Sequence, residues 1–224
     1  MAATLAAGCD YILRIDHIDP PGDGGSDAPR PTEDSSVSSD AKTLCAVPLL
    51  RDTFDGPVIC APWGTSYADL GATVAEQGTL VLTPAGQIGS IAGCLTPGSS
   101  QPFGSGVTAI VTELVRGTNA YTVLQIHGPE VQIKGTGTGT LLFETSGGQA
   151  LGATVLYDPV MKWWRIRPEG NAIVGEYSTD GALWTRLGSS PQVPPSTVGI
   201  EIAGGTDSTF VMGAGVFDEL VICP

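Results

Sequence analysis

Tryptophan, arginine and glutamate side chains lie close together in the second half of the chain, where they could bind a polar ligand. Trp163, Arg165 and Arg167 alternate with apolar neighbours, so in an extended strand they share one face. Glu176 follows in the next apolar run. An indole ring can stack on a flat ligand while guanidinium and carboxylate groups bind its hydroxyls. The alternative is a cross-strand pair of Arg165 with Glu176, with Trp163 merely covering the sheet.

An earlier strand supplies two more polar side chains to this candidate site. Gln125 and His127 alternate with apolar residues, so they also share a face. If their strand lies near the first group, they add an amide and an imidazole to it. The complete predicted ligand-binding set is Trp163, Arg165, Arg167, Glu176, Gln125 and His127.

The sequence contains no recognisable catalytic pattern. Glycoside hydrolysis needs carboxyl groups facing each other across the bond, but most strand glutamates stand singly in their runs: Glu113, Glu144, Glu176 and Glu201. A Ser-His-Asp arrangement would depend on His127 alone, and no G-x-S-x-G or H-E-x-x-H motif occurs. The Gly-Thr repeat 135–140 has no lysine or helix after it, which favours a hairpin turn over a phosphate loop. We therefore expect no enzymatic activity.

Composition and charge narrow the class of protein further. The 224 residues include 31 glycines and 17 prolines, which suits short strands and many turns rather than helices. The formal net charge is -13, which disfavours nucleic acid as a partner and would suit calcium or cationic groups. No run of 18 apolar residues predicts a membrane-spanning helix.

Period-two apolar patterns run from Cys45 to the C-terminus and predict the elements that must hold these side chains. The predicted strands are 49–54, 79–82, 106–116, 120–127, 131–134, 139–145, 151–157, 162–167, 172–178, 183–187, 198–202 and 216–223. Their spacing is typical of an all-β, two-sheet antiparallel β-sandwich or jelly roll. Val198, Ile200 and Ile202 form the clearest inward face, and Asp180-Gly181 is predicted to form a two-residue hairpin turn.

The residues around the tryptophans resemble those of concanavalin A-like lectin/glucanase domains of the LamG type. The motifs that carry the resemblance are Tyr157-Asp158-Pro159, 163–167, 176–181 with Trp184, the opening strand 52–56 and the closing strand 215–221. The likeness covers about Cys45 to Pro224. It implies that the first and last strands are neighbours and that sugars bind on one sheet or its edge loops. The whole layout is similar to that of myxobacterial-type surface lipoproteins.

The resemblance also implies disulfides and a metal position. Adjacent first and last strands would bring Cys45 to Cys223, and Cys60 would then pair with Cys94. The same strands would bring Asp55 near Asp218, where calcium could bind if backbone or water supplied most of its ligands. No other cofactor is expected. The E-x-D-x-x-E strand of retaining glucanases of this fold is missing.

The N-terminal residues point to export. Leu5-Ala6-Ala7-Gly8-Cys9 resembles a bacterial lipobox, in which Cys9 carries lipid. Only eight residues precede Cys9 and none is basic, so either translation starts upstream or the resemblance is chance. We expect a truncated signal peptide at 1–9, a disordered, Pro-, Gly- and Ser-rich linker at 10–44 and the sandwich at 45–224.

Together these patterns predict a lipid-anchored, extracytoplasmic lectin-like module in the periplasm or at the cell surface. Its expected partner is a glycan or another surface molecule, and it would meet the membrane only through its lipid. The alternatives are a structural envelope lipoprotein without a small ligand, or a divergent glycoside hydrolase or lyase.

Overall fold

A computed structural model describes residues 44–224, except Ser105 and Val107. The predicted lipidation site Cys9 and nearly all of the predicted linker 10–44 lie outside the described residues. The described part consists of strands and turns, as the all-β prediction requires. None of its segments is a helix long and apolar enough to cross a membrane.

Sixteen strands follow one another within the described residues. They are β1 Leu50–Asp52, β2 Thr65–Asp69, β3 Thr73–Glu76, β4 Leu80–Thr83, β5 Ile91–Leu95, β6 Gln101–Pro102, β7 Thr108–Val115, β8 Ala120–His127, β9 Val131–Gly135, β10 Thr140–Thr145, β11 Val155–Leu156, β12 Trp163–Glu169, β13 Ala172–Ser178, β14 Thr185–Ser190, β15 Thr197–Thr206 and β16 Gly215–Cys223.

The strands form two eight-stranded antiparallel sheets packed face to face. Sheet A has the order β14-β13-β12-β7-β16-β4-β3, with β1 paired to β16. Sheet B has the order β11-β10-β9-β8-β15-β5-β2, with β6 paired to β15. Neighbours in each sheet are often distant in sequence, which is the jelly-roll arrangement and confirms the predicted fold class.

The core lies between the two sheets and follows the period-two pattern. Val198, Ile200 and Ile202 of β15 are fully or almost fully buried, as predicted. Trp164 of sheet A is fully buried and packs edge-on against Phe217, with ring centroids 6.3 Å apart. Burying side chains of this size stabilises the fold by roughly 1.5–3 kcal/mol each. The face of β12 that carries Trp164 therefore belongs to the core.

Both predicted disulfides are present. Leu50 pairs with Ile222 in the β1–β16 ladder, so the ends of the domain meet and Cys45 bonds to Cys223. Cys60 bonds to Cys94 of β5. Two disulfides in one domain are typical of an extracellular or lumenal protein, because those compartments are oxidising.

The structure corrects the predicted turn after β13. Tyr177 pairs with Thr185, so six residues connect β13 to β14 instead of two. Asp180 Oδ1 accepts hydrogen bonds from the backbone N–H groups of Ala182 and Leu183, each 2.8 Å long. These hydrogen bonds stabilise the longer loop. Within that loop only Gly181 adopts positive φ. A hairpin turn of the predicted type needs positive φ at both central residues.

A buried ion pair links the two sheets near one end of the sandwich. Glu113 of β7 points inward, where Arg116 Nε lies 3.3 Å from its carboxylate. The guanidinium packs 3.8 Å from the centre of the Tyr157 ring, and its Nη1 donates to the carbonyl of Thr136 at 2.8 Å. Burial raises the pKa of Glu113, and the nearby Arg116 opposes that effect. The predicted hairpin at 135–140 is thus fastened to sheet A by Arg116.

Candidate functional site

The outer face of sheet A carries four of the six predicted ligand-binding residues. Arg165 lies opposite Glu176 in the β12–β13 ladder. Arg165 Nε lies 2.5 Å and Arg167 Nε 2.9 Å from Glu176 Oε2. Burial raises the pKa of Glu176, but the hydrogen bonds from Arg167 and Arg165 outweigh it and lower the pKa below its ordinary value. The cross-strand pair considered from the sequence is therefore present.

The aromatic side chains of this face are covered by other parts of the protein. The Arg165 guanidinium lies 4.0 Å from the centre of the Trp184 ring, and Lys162 Nζ lies 4.5 Å from that of Trp163. Trp184 also packs with Leu44 and Cys45 in a small apolar cluster outside sheet A. The side chains of sheet A that were predicted to bind a ligand are therefore in contact with other residues of the protein.

The predicted set is divided between the two sheets, contrary to the expectation of one site. Gln125 and His127 belong to β8, at the centre of sheet B, and point away from the core. Trp163, Arg165 and Glu176 belong to strands of sheet A. The sequence shows which residues share a strand face, but not which sheet each strand joins. Gln125 and His127 therefore have other neighbours than those expected.

A row of four polar side chains crosses the middle of sheet B on its outer face. In the ladders, Glu144 of β10 pairs with Gln132 of β9, Gln132 with Gln125 of β8, and Gln125 with Glu201 of β15. Gln132 Nε2 donates to Glu144 Oε1 at 2.7 Å. Because neighbouring strands lie about 4.8 Å apart, the row spans roughly 14 Å. Gln125, Gln132 and Glu144 are each more than nine-tenths buried.

Two tyrosines lie on the same face, each next to a glycine. A Cβ built on Gly93 of β5 would stand 2.8 Å from Tyr67 Oη, so only glycine lets this ring approach the sheet. Tyr121 approaches Gly205 of β15 in the same way. Lys134 Nζ lies 4.5 Å from the centre of the Tyr121 ring and 4.0 Å from Asp207 Oδ2. The face therefore combines aromatic rings with amides and carboxylates.

Glu201 joins the row to one of these tyrosines and to the histidine. Tyr67 Oη donates to Glu201 Oε1, and His127 Nε2 lies 2.6 Å from Glu201 Oε2. On its other side the imidazole Nδ1 lies 3.5 Å from Glu130 Oε2. The hydrogen bond with Glu201 raises the pKa of His127, while burial opposes this to a smaller extent. The imidazole thus lies between two carboxylates, and Gln125 Nε2 lies 3.3 Å from its Nδ1.

Three adjoining cavities lie along β8 on this face, and we call them together the β8 groove. Asn119 and Tyr121 line the first, of about 270 Å³. Tyr121 and Gln125 line the second, of about 180 Å³, and His127 lines the third, of about 320 Å³. At about 3.3 Å per residue, Tyr121 and His127 are roughly 20 Å apart. The groove is long enough for an extended chain.

Several residues of the groove were not identified from the sequence. Those that line its cavities are Tyr121, Glu130, Gln132, Lys134, Glu201 and Asp207. Tyr67 and Glu144 lie outside the cavities and bond to Glu201 and Gln132. One signal was available, because Gln132 occupies an outward position of β9 between the buried Val131 and Ile133, as Gln125 does between Leu124 and Ile126 of β8. No signal in the sequence identifies Tyr67, since its strand β2 is short and largely exposed.

The calcium position inferred from the resemblance has few donors. Asp55 and Asp218 are both exposed. In the part of the chain that the structure describes, the sole cluster of three side chains with metal-ligand atoms is Cys60, Glu76 and Cys94, and its cysteines form a disulfide. Calcium takes six to eight oxygens, so a site at Asp55 and Asp218 would need most of its ligands from the backbone or from water, as predicted from the sequence.

The structure is similar to solved structures of sugar-binding proteins and of glucanases. Lectin II from Ulex europaeus matches with a TM-score of 0.54 and 11% identity, over 79% of this chain and 99% of the lectin. The β-glucanase of Bacillus licheniformis matches with a TM-score of 0.54 and 10% identity, over 78% and 97%. The exoplasmic/lumenal domain of VIP36, solved with Ca²⁺ and Man2, matches with a TM-score of 0.53 and 10% identity, over 76% and 85%.

No protein-family model and no curated protein sequence matches the chain. The structural matches correct the expectation that the protein is not an enzyme, because a glucanase shares the fold as closely as the lectins do. The missing carboxylate motif is therefore no ground for excluding catalysis. At these identities the likeness shows the fold alone. The chain has the jelly-roll fold of concanavalin A-like lectins and glucanases.

Proposed function

We propose that the protein binds a carbohydrate chain along the β8 groove. The observation that carries this proposal is the outward row of Glu144, Gln132, Gln125 and Glu201, with the rings of Tyr67 and Tyr121 on the same face. Sugars have hydroxyl groups that amides and carboxylates bind, and apolar ring faces that pack on aromatic rings. The similar structures solved with sugars, or named as lectins and glucanases, support the same class of ligand.

The burial of the row distinguishes it from an ordinary polar surface. Gln125 and Gln132 are more than nine-tenths buried, although they face away from the core. Glutamine is rarely buried unless hydrogen bonds compensate its loss of water. A row of such side chains, held in fixed positions on central strands, suits the binding of one extended molecule better than a solvated surface does.

Binding is tested with a glycan array and with calorimetry on the array's best glycan. Tyr121→Ala removes a ring of the groove, and we expect it to weaken binding about tenfold, the equivalent of a lost aromatic contact of about 1.4 kcal/mol. Trp163→Ala is the matched control on sheet A and should bind as wild type does. If Trp163→Ala alone weakens binding, the ligand lies on sheet A. If wild type binds no glycan, the proposal fails.

Catalysis is measured in the same experiment. The glycans that bind are incubated with the protein, and new reducing ends are counted. New ends that appear with wild type and are lost in Glu201→Gln would make the groove an active site as well as a binding site.

We also propose that the domain is attached to a membrane through lipid on Cys9, followed by the polar segment 10–44. The lipobox-like Leu5–Cys9 and the low apolar content after Ile18 support this. The test is metabolic labelling with a lipid probe in cells expressing the gene from its natural start. Label retained by Cys9→Ser would refute the anchor.

A further inference from the structure

The β8 groove offers far more hydrogen-bond acceptors than donors. Gln132 turns its amide nitrogen to Glu144, at 2.7 Å, and Gln125 turns its own to Glu130 Oε2, at 3.1 Å. The reverse orientation would bring an amide oxygen against a carboxylate oxygen, which is repulsive. Both amide oxygens are therefore left for a ligand. Among the described residues neither Gln125 Oε1 nor Gln132 Oε1 accepts a hydrogen bond.

The histidine and the lysine of the groove already contact carboxylates of the protein. His127 lies between Glu201 and Glu130, and Lys134 lies between the Tyr121 ring and Asp207. Glu144 has no such partner: across residues 44–224, no lysine, arginine or histidine lies within salt-bridge distance of its carboxylate. Its described hydrogen-bond partner is the neutral amide of Gln132.

A ligand suited to this groove must donate hydrogen bonds and carry positive charge. An anionic sugar would lie beside Glu130, Glu144 and Glu201 and would be repelled. A neutral sugar can donate only through hydroxyls, whereas an ammonium group donates three hydrogen bonds and neutralises a carboxylate. The net charge of -13 would also attract cations to the protein at long range.

We infer that the ligand of the β8 groove is a polymer of amino sugars with free amino groups, that is, a cationic glycan. This inference rests on the proposed carbohydrate-binding function and names its ligand class. Gln125, Gln132 and Glu201 line the same cavity of the groove, which is where such an ammonium group would bind.

Calorimetry with three short oligosaccharides of equal length tests the inference: glucosamine, N-acetylglucosamine and glucose oligomers, near pH 6, where amines are protonated. We expect the glucosamine oligomer to bind at least about tenfold more tightly than the other two, and its affinity to fall as salt is added. Glu144→Gln should remove most of this preference, because it should weaken binding of the glucosamine oligomer much more than binding of the glucose oligomer. Glu169→Gln, on sheet A, is the control and should bind as wild type does.

The outcomes separate the two proposals. If the neutral oligomers bind as tightly as the glucosamine oligomer, the cationic ligand is refuted while carbohydrate binding stands. Tighter binding of a uronic acid oligomer would refute it as well. If no oligosaccharide binds, the carbohydrate-binding function itself fails.

Discussion

The carboxylate of Glu201 lies 2.6 Å from the imidazole of His127, although 74 residues separate them in sequence. The pairing exists because β15 and β8 are neighbours in sheet B. The same carboxylate also accepts a hydrogen bond from Tyr67, so it connects three strands of sheet B.

The His127 pair should make stability depend on pH. The hydrogen bond with Glu201 raises the pKa of His127 above its ordinary 6.5, and Glu130 on the other side of the ring acts in the same direction. The folded state thus binds the proton more tightly than the unfolded state does. The stabilisation is fully present below about pH 6.5 and is lost as pH rises through the higher folded pKa. Urea unfolding of wild type and His127→Gln across this range should show a difference that shrinks with rising pH. A constant difference would contradict the assignment.

The ion pairs of Glu176 should also make stability depend on pH, but in the acid range and in the opposite direction. Although burial raises the pKa of Glu176, hydrogen bonds from Arg167 and Arg165 lower it below the ordinary 4.5. Its stabilisation is present above about pH 4.5 and is lost as pH falls through the lower folded pKa. We expect Glu176→Gln to be less stable than wild type at neutral pH and to approach it in acid. Glu169→Gln, at an exposed position, serves as the control and should change stability little.

Removing Arg116 should destabilise the protein strongly. Arg116→Met leaves the fully buried Glu113 without its cation and removes the bond to Thr136, which we expect to cost about 3–5 kcal/mol of unfolding free energy. Replacing Glu113 by leucine in the same protein should recover part of the loss, because the unpaired charge is gone. Arg186→Ala, on an exposed pair, should cost less than about 1 kcal/mol. Equal effects of the two arginine changes in denaturant unfolding would contradict this account.

The Cys45–Cys223 disulfide should contribute substantially to stability. It closes a loop with a sequence separation of 178, and removing a native disulfide of this kind costs about 2–5 kcal/mol. The Cys45→Ala/Cys223→Ala protein should also loosen the small apolar cluster to which Leu44 and Trp184 belong and shift tryptophan emission to longer wavelength. Unchanged emission would mean that the segment stays in place without the covalent bond.

The fold was predictable because burial on one side of a strand produces a clear alternation of apolar and polar residues in the sequence. Val198, Ile200 and Ile202 show it, and β8 and β13 were predicted with their observed bounds. The strands that were missed are β2, β3, β5 and β6. β2 and β3 lie at sheet edges with much of their surface exposed, so their polar residues hide the pattern. β5 contains small residues such as Gly93, which read as a turn.

The candidate site was predicted only in part, because its residues come together through strand order. Gln125 and His127 were identified from their shared strand face. Their partner Glu201 appeared from the sequence as an isolated carboxylate, since nothing local shows that β15 lies beside β8. Trp163 and Arg165 had the right chemistry for a ligand, but Lys162, Trp184 and Glu176 contact them. A sequence shows the capacity of a side chain to bind, but not whether a neighbour already uses it.

The disulfide at Cys45 also separates two faces of the domain. Leu44 and Cys45 pack on the outer face of sheet A, with Trp184. The β8 groove lies on the outer face of the other sheet. A long polymer lying along β8 would therefore not contact Leu44 or Cys45. If several copies of the domain bound one such polymer, the overall affinity would depend on how many copies it reached.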